Sequence, residues 1–122
     1  TFVKCDVSQE ADVRDLVEQT VDIYGGLDFA CNNAGIGGES APTADYTLDG
    51  WNNVLSINLT GVFLCMKYEI PKMLKRGGGV IVNMHDWRAG RPGRDHFAYT
   101  ISKVGLHGLT VSLAAALGVT TH

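Results

Sequence analysis

Residues 27–35 read Leu-Asp-Phe-Ala-Cys-Asn-Asn-Ala-Gly, and the fold is decided there. Leu27 to Cys31 is a short apolar run of strand type. It empties into Asn32-Asn33-Ala34-Gly35, the small and amide side chains that a tight strand-to-loop turn requires. Ahead of it, Val13, Leu16, Val17, Val21 and Tyr24 recur at helical spacing, with Arg14, Asp15, Glu18 and Asp22 elsewhere around the helix. Ser8 is the expected N-cap, Glu10 and Asp12 give the first turn the sign its dipole favours, and Gly25-Gly26 supply the stop. Further upstream, Phe2 to Val7 reads as another strand, with Asp6 at its end.

Downstream, Leu48 to Leu74 is a long helical pattern that is apolar on more than one side through Val54, Leu55, Ile57, Leu59, Val62, Phe63, Leu64, Met66 and Ile70. Such a helix is expected to be buried twice, against a sheet and against a partner subunit. Pro71 should kink or end it, Gly77-Gly78-Gly79 turns the chain, and Val80-Ile81-Val82 forms a third strand. A polar loop from His85 to His96 precedes a last helix from Phe97 to Leu117, whose wide apolar surface includes Val104, Leu109, Leu113 and Leu117. Strands alternating with helices imply βαβ crossovers: an α/β, Rossmann-like, doubly wound parallel sheet covered on both faces. Ligands in such sheets bind beyond the carboxyl ends of the strands. Asp6, the Asn32 to Gly35 turn and the His85 to Asp86 segment are therefore expected on one rim.

The 122 residues leave room for one domain, spanning 1–122. A hydrophobic share of 45%, a charged share of 19% and a mean hydropathy of +0.04 describe a globular domain, with no unbroken stretch expected to span a bilayer. The net charge of -3 offers no basic field for nucleic acid or an anionic membrane, so neither is expected as a partner. Cys5, Cys31 and Cys65 are odd in number and set in apolar runs, which suits reduced packing thiols in a metal-free, cytoplasmic protein. The chain opens at Thr1 within a strand-like run, without Met or signal peptide, and is expected to be a fragment.

Two groups of residues could carry chemistry. Tyr99 and Lys103 are four apart, so on a helix they share a face and can converge on one ligand. A phenol is a poor acid-base catalyst near neutrality, but a neighbouring ammonium favours the phenolate. Tyr and Lys at this spacing also occur on ordinary solvated helix faces. Asn58 is a polar residue inside the apolar run from Leu55 to Phe63, where its amide must find hydrogen-bond partners, either as a satisfied core group or as part of a site.

Taken in order, Asp6-Val7, Asn32-Asn33-Ala34-Gly35, Asn58 within Ile57-Asn58-Leu59, and Tyr99-Thr100-Ile101-Ser102-Lys103 resemble the short-chain dehydrogenase/reductase family over essentially the whole chain. The resemblance implies an oxidoreductase that uses NAD or NADP, moving hydride between the nicotinamide and a carbonyl/alcohol or C=N bond of a small-molecule substrate. It further implies that Asp6 and Val7 flank the adenine, that the Asn32 to Gly35 turn supports the cofactor and the central sheet, and that Asn58 anchors a water beside Lys103. Lys103 would bind the nicotinamide ribose and lower the pKa of Tyr99, the general acid in reduction and base in oxidation. The two widely apolar helices would pair subunits into a homodimer or homotetramer.

The sequence departs from the family pattern twice. The family's opening strand, Gly-rich phosphate loop, first helix and second strand would precede Thr1, and its substrate loop would follow Leu117. On the family's strand order, the strand at Phe2 would then be separated from that at Leu27, leaving sheet edges and apolar faces open so that the chain alone aggregates or stays partly unfolded. The second departure is chemical, because most members place a Ser 13 residues before the Tyr, and 99 minus 13 is Asp86. An ionised carboxylate accepts hydrogen bonds only. Pteridine reductases are similar here, with Asp at this position and a Pro six residues on, matched by Pro92. Arg88, Arg91 and Arg94 form a local basic cluster that could clamp an anionic substrate or simply face solvent, and Trp87 and Phe97 could stack on a ring or pack in the core. The first two thirds of the chain look closer to members that oxidise alcohols and cyclic diols. A catalytically silent nucleotide-binding or dimerisation module is the competing function.

Overall fold

Helix α1 (Glu10–Tyr24) lies where its apolar spacing places it and ends in the left-handed conformation at Gly25, φ 79°. Its N-cap, however, is Gln9, whose side chain makes no capping bond. Ser8 is otherwise engaged: its backbone N–H and hydroxyl donate to Asp6 Oδ1 at 3.0 and 2.7 Å, in a turn closed by Gln9 N–H to the Asp6 carbonyl at 2.9 Å. An Asp two residues back competed for the hydroxyl that the helix end would have used. The computed structural model describes residues 1–86 and 95–118. Two compact bodies share them, one formed by Thr1–Ala34 with Thr60–Met84, the other by Gly35–Leu59 with the described residues from His85 on.

In the first body, strand β1 (Phe29–Asn32) pairs in parallel with β2 (Val80–Asn83), Phe29 opposite Val80 and Asn32 opposite Asn83. The expected strand at Phe2 to Val7 does not form. A strand exists by its ladder, and among the described residues none pairs with this segment. Cys5 and Val7 instead pack with Tyr68 against a core of Val13, Leu64 and Cys65, where α1 meets α3 (Gly61–Lys75). Gly61 is buried because a methyl there would sit 2.8 Å from Val7 Cγ2, so the bare backbone permits this approach. Pro71 does not end α3, which runs on to Lys75.

Among the described residues, one face of this sheet is left uncovered. Phe29, Cys31, Val80 and Val82 are exposed on one face, while Ala30, Asn32, Ile81 and Asn83 lie on the other, with β1 packed on α3. All three cysteines are free, but only Cys5 and Cys65 fit the packing account; Cys31 is exposed. Burial pushes the Cys65 thiol up to about 12.

The long helical pattern from Leu48 resolves into three pieces: α2 (Leu48–Leu55), a π-helical turn (Ser56–Thr60) and α3. Thr47 caps α2 by accepting from Gly50 N–H at 2.9 Å, and Glu39 Oε1 accepts from both Thr47 N–H and its hydroxyl. In the second body α2 packs on α4 (Phe97–Leu117). Phe97 is taken up by packing, its ring 4.7 Å from Tyr46 and 5.7 Å from Trp51. Trp87, Arg88, Arg91, Pro92 and Arg94 lie outside the described residues.

By length and composition α4 is apolar enough to cross a membrane, with a window of mean hydropathy 1.3, which corrects the expectation that no stretch suffices. The core helix of a water-soluble domain passes the same test. Lys103, buried in the N-terminal half of α4, is a residue that hydrocarbon strongly disfavours.

Candidate active site

In the second body, α4 presents Tyr99, Ser102 and Lys103 at spacings of three and four, one stripe of the helix, with Ser102 fully buried and Lys103 6% exposed. The facing residue is Asn58, fully buried in the π-helical turn. Its Oδ1 accepts from Ile36 N–H at 2.8 Å, and its Nδ2 donates to the Ile36 carbonyl at 2.9 Å and to Ser102 Oγ at 3.1 Å. The Ser102 hydroxyl donates to the Tyr99 carbonyl at 2.7 Å. Asn58 therefore bonds Ile36, after Gly35, on one side and the Tyr99–Lys103 stripe of α4 on the other. π-helical turns widen a helix by one residue and recur at functional positions.

Asp86 stands at the position counted 13 residues before Tyr99, and the structure brings the two together. Tyr99 Oη donates to Asp86 Oδ2 at 2.7 Å. Lys103 Nζ lies 5.8 Å from the centroid of the Tyr99 ring. Burial lowers the Lys103 pKa, and the charge of Asp86 opposes that shift. A phenol, a carboxylate and an ammonium thus lie together, with Ser102 bonded to Asn58 and to the Tyr99 backbone beside them.

Gly35 borders this group: a methyl there would come 3.4 Å from Asn58 Oδ1 and 3.7 Å from Lys103 Nζ, ordinary contact distances. An ammonium has three donors and no acceptor, a donor set that fits the hydroxyl oxygens of a ribose. Tyr99, Lys103, Asn58, Asp86 and Gly35 belong to this body.

The other cofactor residues read from the sequence lie in the first body. Asp6 is exposed, and its bonds from Ser8 hold its carboxyl below the usual range. Val7 is half-buried against Gly61. Asn32 is buried at the end of β1, donating to Glu69 Oε2 and Asn83 Oδ1, while Asn33 and Ala34 are exposed. Because β1 and β2 run parallel in register, Asn32 and Asn83 do end on one rim; Asp6 is not at a strand end. Ser102 and Glu69 are the residues that sequence reasoning passed over.

Residues 1–121 match the family model described as enoyl-(acyl carrier protein) reductase. A short chain dehydrogenase/reductase of Aspergillus oryzae is 36% identical over 118 residues, covering 96% of this chain and 45% of the relative. A 2,5-dichloro-2,5-cyclohexadiene-1,4-diol dehydrogenase of Sphingobium indicum is 44% identical over 119 residues, 96% of this chain and 47% of the relative. Among solved structures, that of NAD+-bound xylitol dehydrogenase superposes with a TM-score of 0.89 at 36% identity, over 93% of this chain and 44% of that one. The chain spans less than half the length of these proteins.

Proposed function

The chain belongs to the short-chain dehydrogenase/reductase family, and from that premise we propose that the whole protein is an NAD- or NADP-dependent oxidoreductase interconverting an alcohol and a carbonyl, with Tyr99 as proton donor and acceptor. The observation that carries this reading is the buried bond from Asn58 to Ser102, which sits between Tyr99 and Lys103 on one stripe of α4 and bonds in turn to the Tyr99 carbonyl. A bound nicotinamide supplies or removes the hydride. The chain's own residues do the rest. Lys103 would bind the ribose hydroxyls, with Asp6, Val7 and the Asn32 to Gly35 segment as the further cofactor residues. Tyr99 Oη gives its proton to the substrate oxygen in reduction and takes it back in oxidation. Both amide protons of Asn58 are placed within the protein, so a water beside Lys103 would bind an oxygen of Asn58 rather than its amide.

Calorimetric titration of the whole protein with NAD(H) and NADP(H) tests the reading. Saturable binding of one of the pairs is expected, and no binding of either contradicts it.

Asp86 narrows the substrate. Its carboxylate already accepts from Tyr99, and an accepting group next to the reacting oxygen favours substrates that bring donors of their own: the second hydroxyl of a diol, or ring N–H groups of the kind a pterin carries. The pteridine-reductase-like reading rests on this one bond and on Asp86 itself. Replacing Asp86 by Ser should lower kcat/KM for a pterin and raise it for a plain ketone, changing the ratio by about 10 to 150-fold, the worth of a hydrogen bond to a charged group. An unchanged ratio removes Asp86 from specificity.

A subunit contact of the whole protein is proposed through α3 and α4, supported by the apolar side chains they leave exposed, Phe63, Ile101, Val104 and Val111. Sedimentation of the whole protein as a dimer or tetramer supports it; a monomer at micromolar concentration does not.

A further inference from the structure

Helix α3 buries a carboxylate that the proposed reaction does not use. Glu69 is 7% exposed and lies in line with the buried Met66 and Met73 along the helix. Its Oε2 accepts from Asn32 Nδ2 at 3.1 Å, and the second proton of the same amide goes to Asn83 Oδ1 at 3.0 Å. Asn83 donates to Met66 Sδ at 3.3 Å, and Met84 N–H donates to the Asn32 carbonyl at 3.0 Å. The ends of β1 and β2 and one face of α3 are thus tied through a single carboxamide, with both of its protons placed.

A carboxylate is an expensive core residue, and a leucine or methionine at 69 would fill a similar volume without desolvating a charge. Burial holds the Glu69 carboxyl above its ordinary range. What the carboxylate supplies and an alkyl group does not is an acceptor for Asn32. Without it, a buried amide proton at the first residue of the turn loses its partner, and where side-chain rotation alone finds no other, the Asn32 backbone and the peptide units after it must shift to supply one. We propose that Glu69 is a positioning residue for cofactor binding: by fixing the Asn32 carboxamide it sets the backbone of Asn33 and Ala34, the segment assigned above to the nicotinamide cofactor. This inference rests on that assignment. The titratable neighbour whose own shift records Glu69 is Cys65, one turn back on α3, and its thiol, at about 12, stays neutral wherever a carboxylate titrates.

The test uses the whole protein. Glu69→Leu should raise the Kd for the reduced cofactor about tenfold while kcat at saturating cofactor stays within about twofold, and Glu69→Gln, which keeps an acceptor, should stay within about twofold on both. In an Asn32→Ala background, Glu69→Leu should add nothing, because its effect travels through Asn32. An unchanged Kd in Glu69→Leu, or the same added loss in both backgrounds, overturns the proposal. If Glu69→Leu does not fold, the parent decides by nuclear magnetic resonance. The Asn32 side-chain amide and the backbone amides of Asn33 and Ala34 should shift with pH through one common midpoint above the ordinary carboxylate value, and the transition should vanish in Glu69→Gln. Asn33 and Ala34 amides that do not move overturn the proposal. A parent that binds no nicotinamide cofactor while those amides still titrate together brings down the cofactor assignment, and the proposal with it, on different grounds from a failed coupling.

Discussion

A Tyr99→Phe variant of the whole protein is expected to bind cofactor as the parent does and to lose about 100 to 10,000-fold in turnover, the range that a positioned acid-base group contributes. The substitution removes one hydroxyl and leaves the ring. Its structural cost is small, because the bond it breaks, Tyr99 Oη to Asp86, joins two half-buried side chains, and the bonds that hold α4 in place run through Ser102 and the Tyr99 backbone carbonyl. A loss of kcat without a loss of cofactor affinity is the signature of a group needed only in the transition state. Activity within a few fold of the parent would remove Tyr99 from the mechanism. Wherever Tyr99 gives its proton to substrate, it must first leave Asp86, so the carboxylate competes with the substrate for the same hydroxyl.

The second large effect is expected at Asn58. Asn58→Leu keeps the volume and strands three buried partners at once: Ile36 N–H, the Ile36 carbonyl and Ser102 Oγ. Each unsatisfied buried group costs about 1 to 3 kcal/mol, and because the three are coupled through one side chain their sum falls short of additive. A loss of at least about 3 kcal/mol in denaturant unfolding is expected, together with lost turnover even where the protein remains folded, since the π-helical turn has then lost the bonds that hold it to α4. A Leu variant as stable as the parent would mean that the carboxamide is not holding this part of the fold. Stability lost with turnover intact would separate Asn58 from the chemistry.

How much of this was legible in the sequence depended on whether neighbours decide the outcome. Helix Phe97–Leu117 was readable to the residue, because its periodicity and the Gly118 cap, left-handed at φ 65°, are local signals. β1 and β2 were readable to within two residues for the same reason. The run from Phe2 to Val7 has strand composition, but strand formation is a property of a pair, and no ladder partner exists for it among the described residues. Ser8 was misplaced as a cap because Asp6 competes for it. The π-helical turn at Ser56–Thr60 was invisible: Ser-Ile-Asn-Leu-Thr has no composition that separates one extra residue per turn from none, and the bonds of Asn58 that hold it reach residues 22 and 44 positions away.

Of the site, Tyr99 and Lys103 were legible by their four-residue spacing, Asn58 as a polar residue in an apolar run, and Asp86 only through the resemblance to the family; the structure gathers them in one body. Glu69 left a signal that was not used, a lone acid at the same helical spacing as Met66 and Met73. On a face otherwise apolar, an acid is either exposed by a break in the pattern or buried with a partner, and here it is buried with Asn32. Ser102 left a weaker one, a hydroxyl on the stripe of α4 that also carries Tyr99 and Lys103.

The central claim, that these residues serve a nicotinamide-dependent oxidoreductase, is tested most directly by following reduced-nicotinamide absorbance while the whole protein is offered cyclic alcohols and diols with NAD+ or NADP+. The account predicts an absorbance rise that requires both alcohol and cofactor and that disappears in Tyr99→Phe. A protein that binds the cofactor yet gives no change with any alcohol, or with any carbonyl in the reverse direction, or a rate that Tyr99→Phe leaves intact, would contradict it.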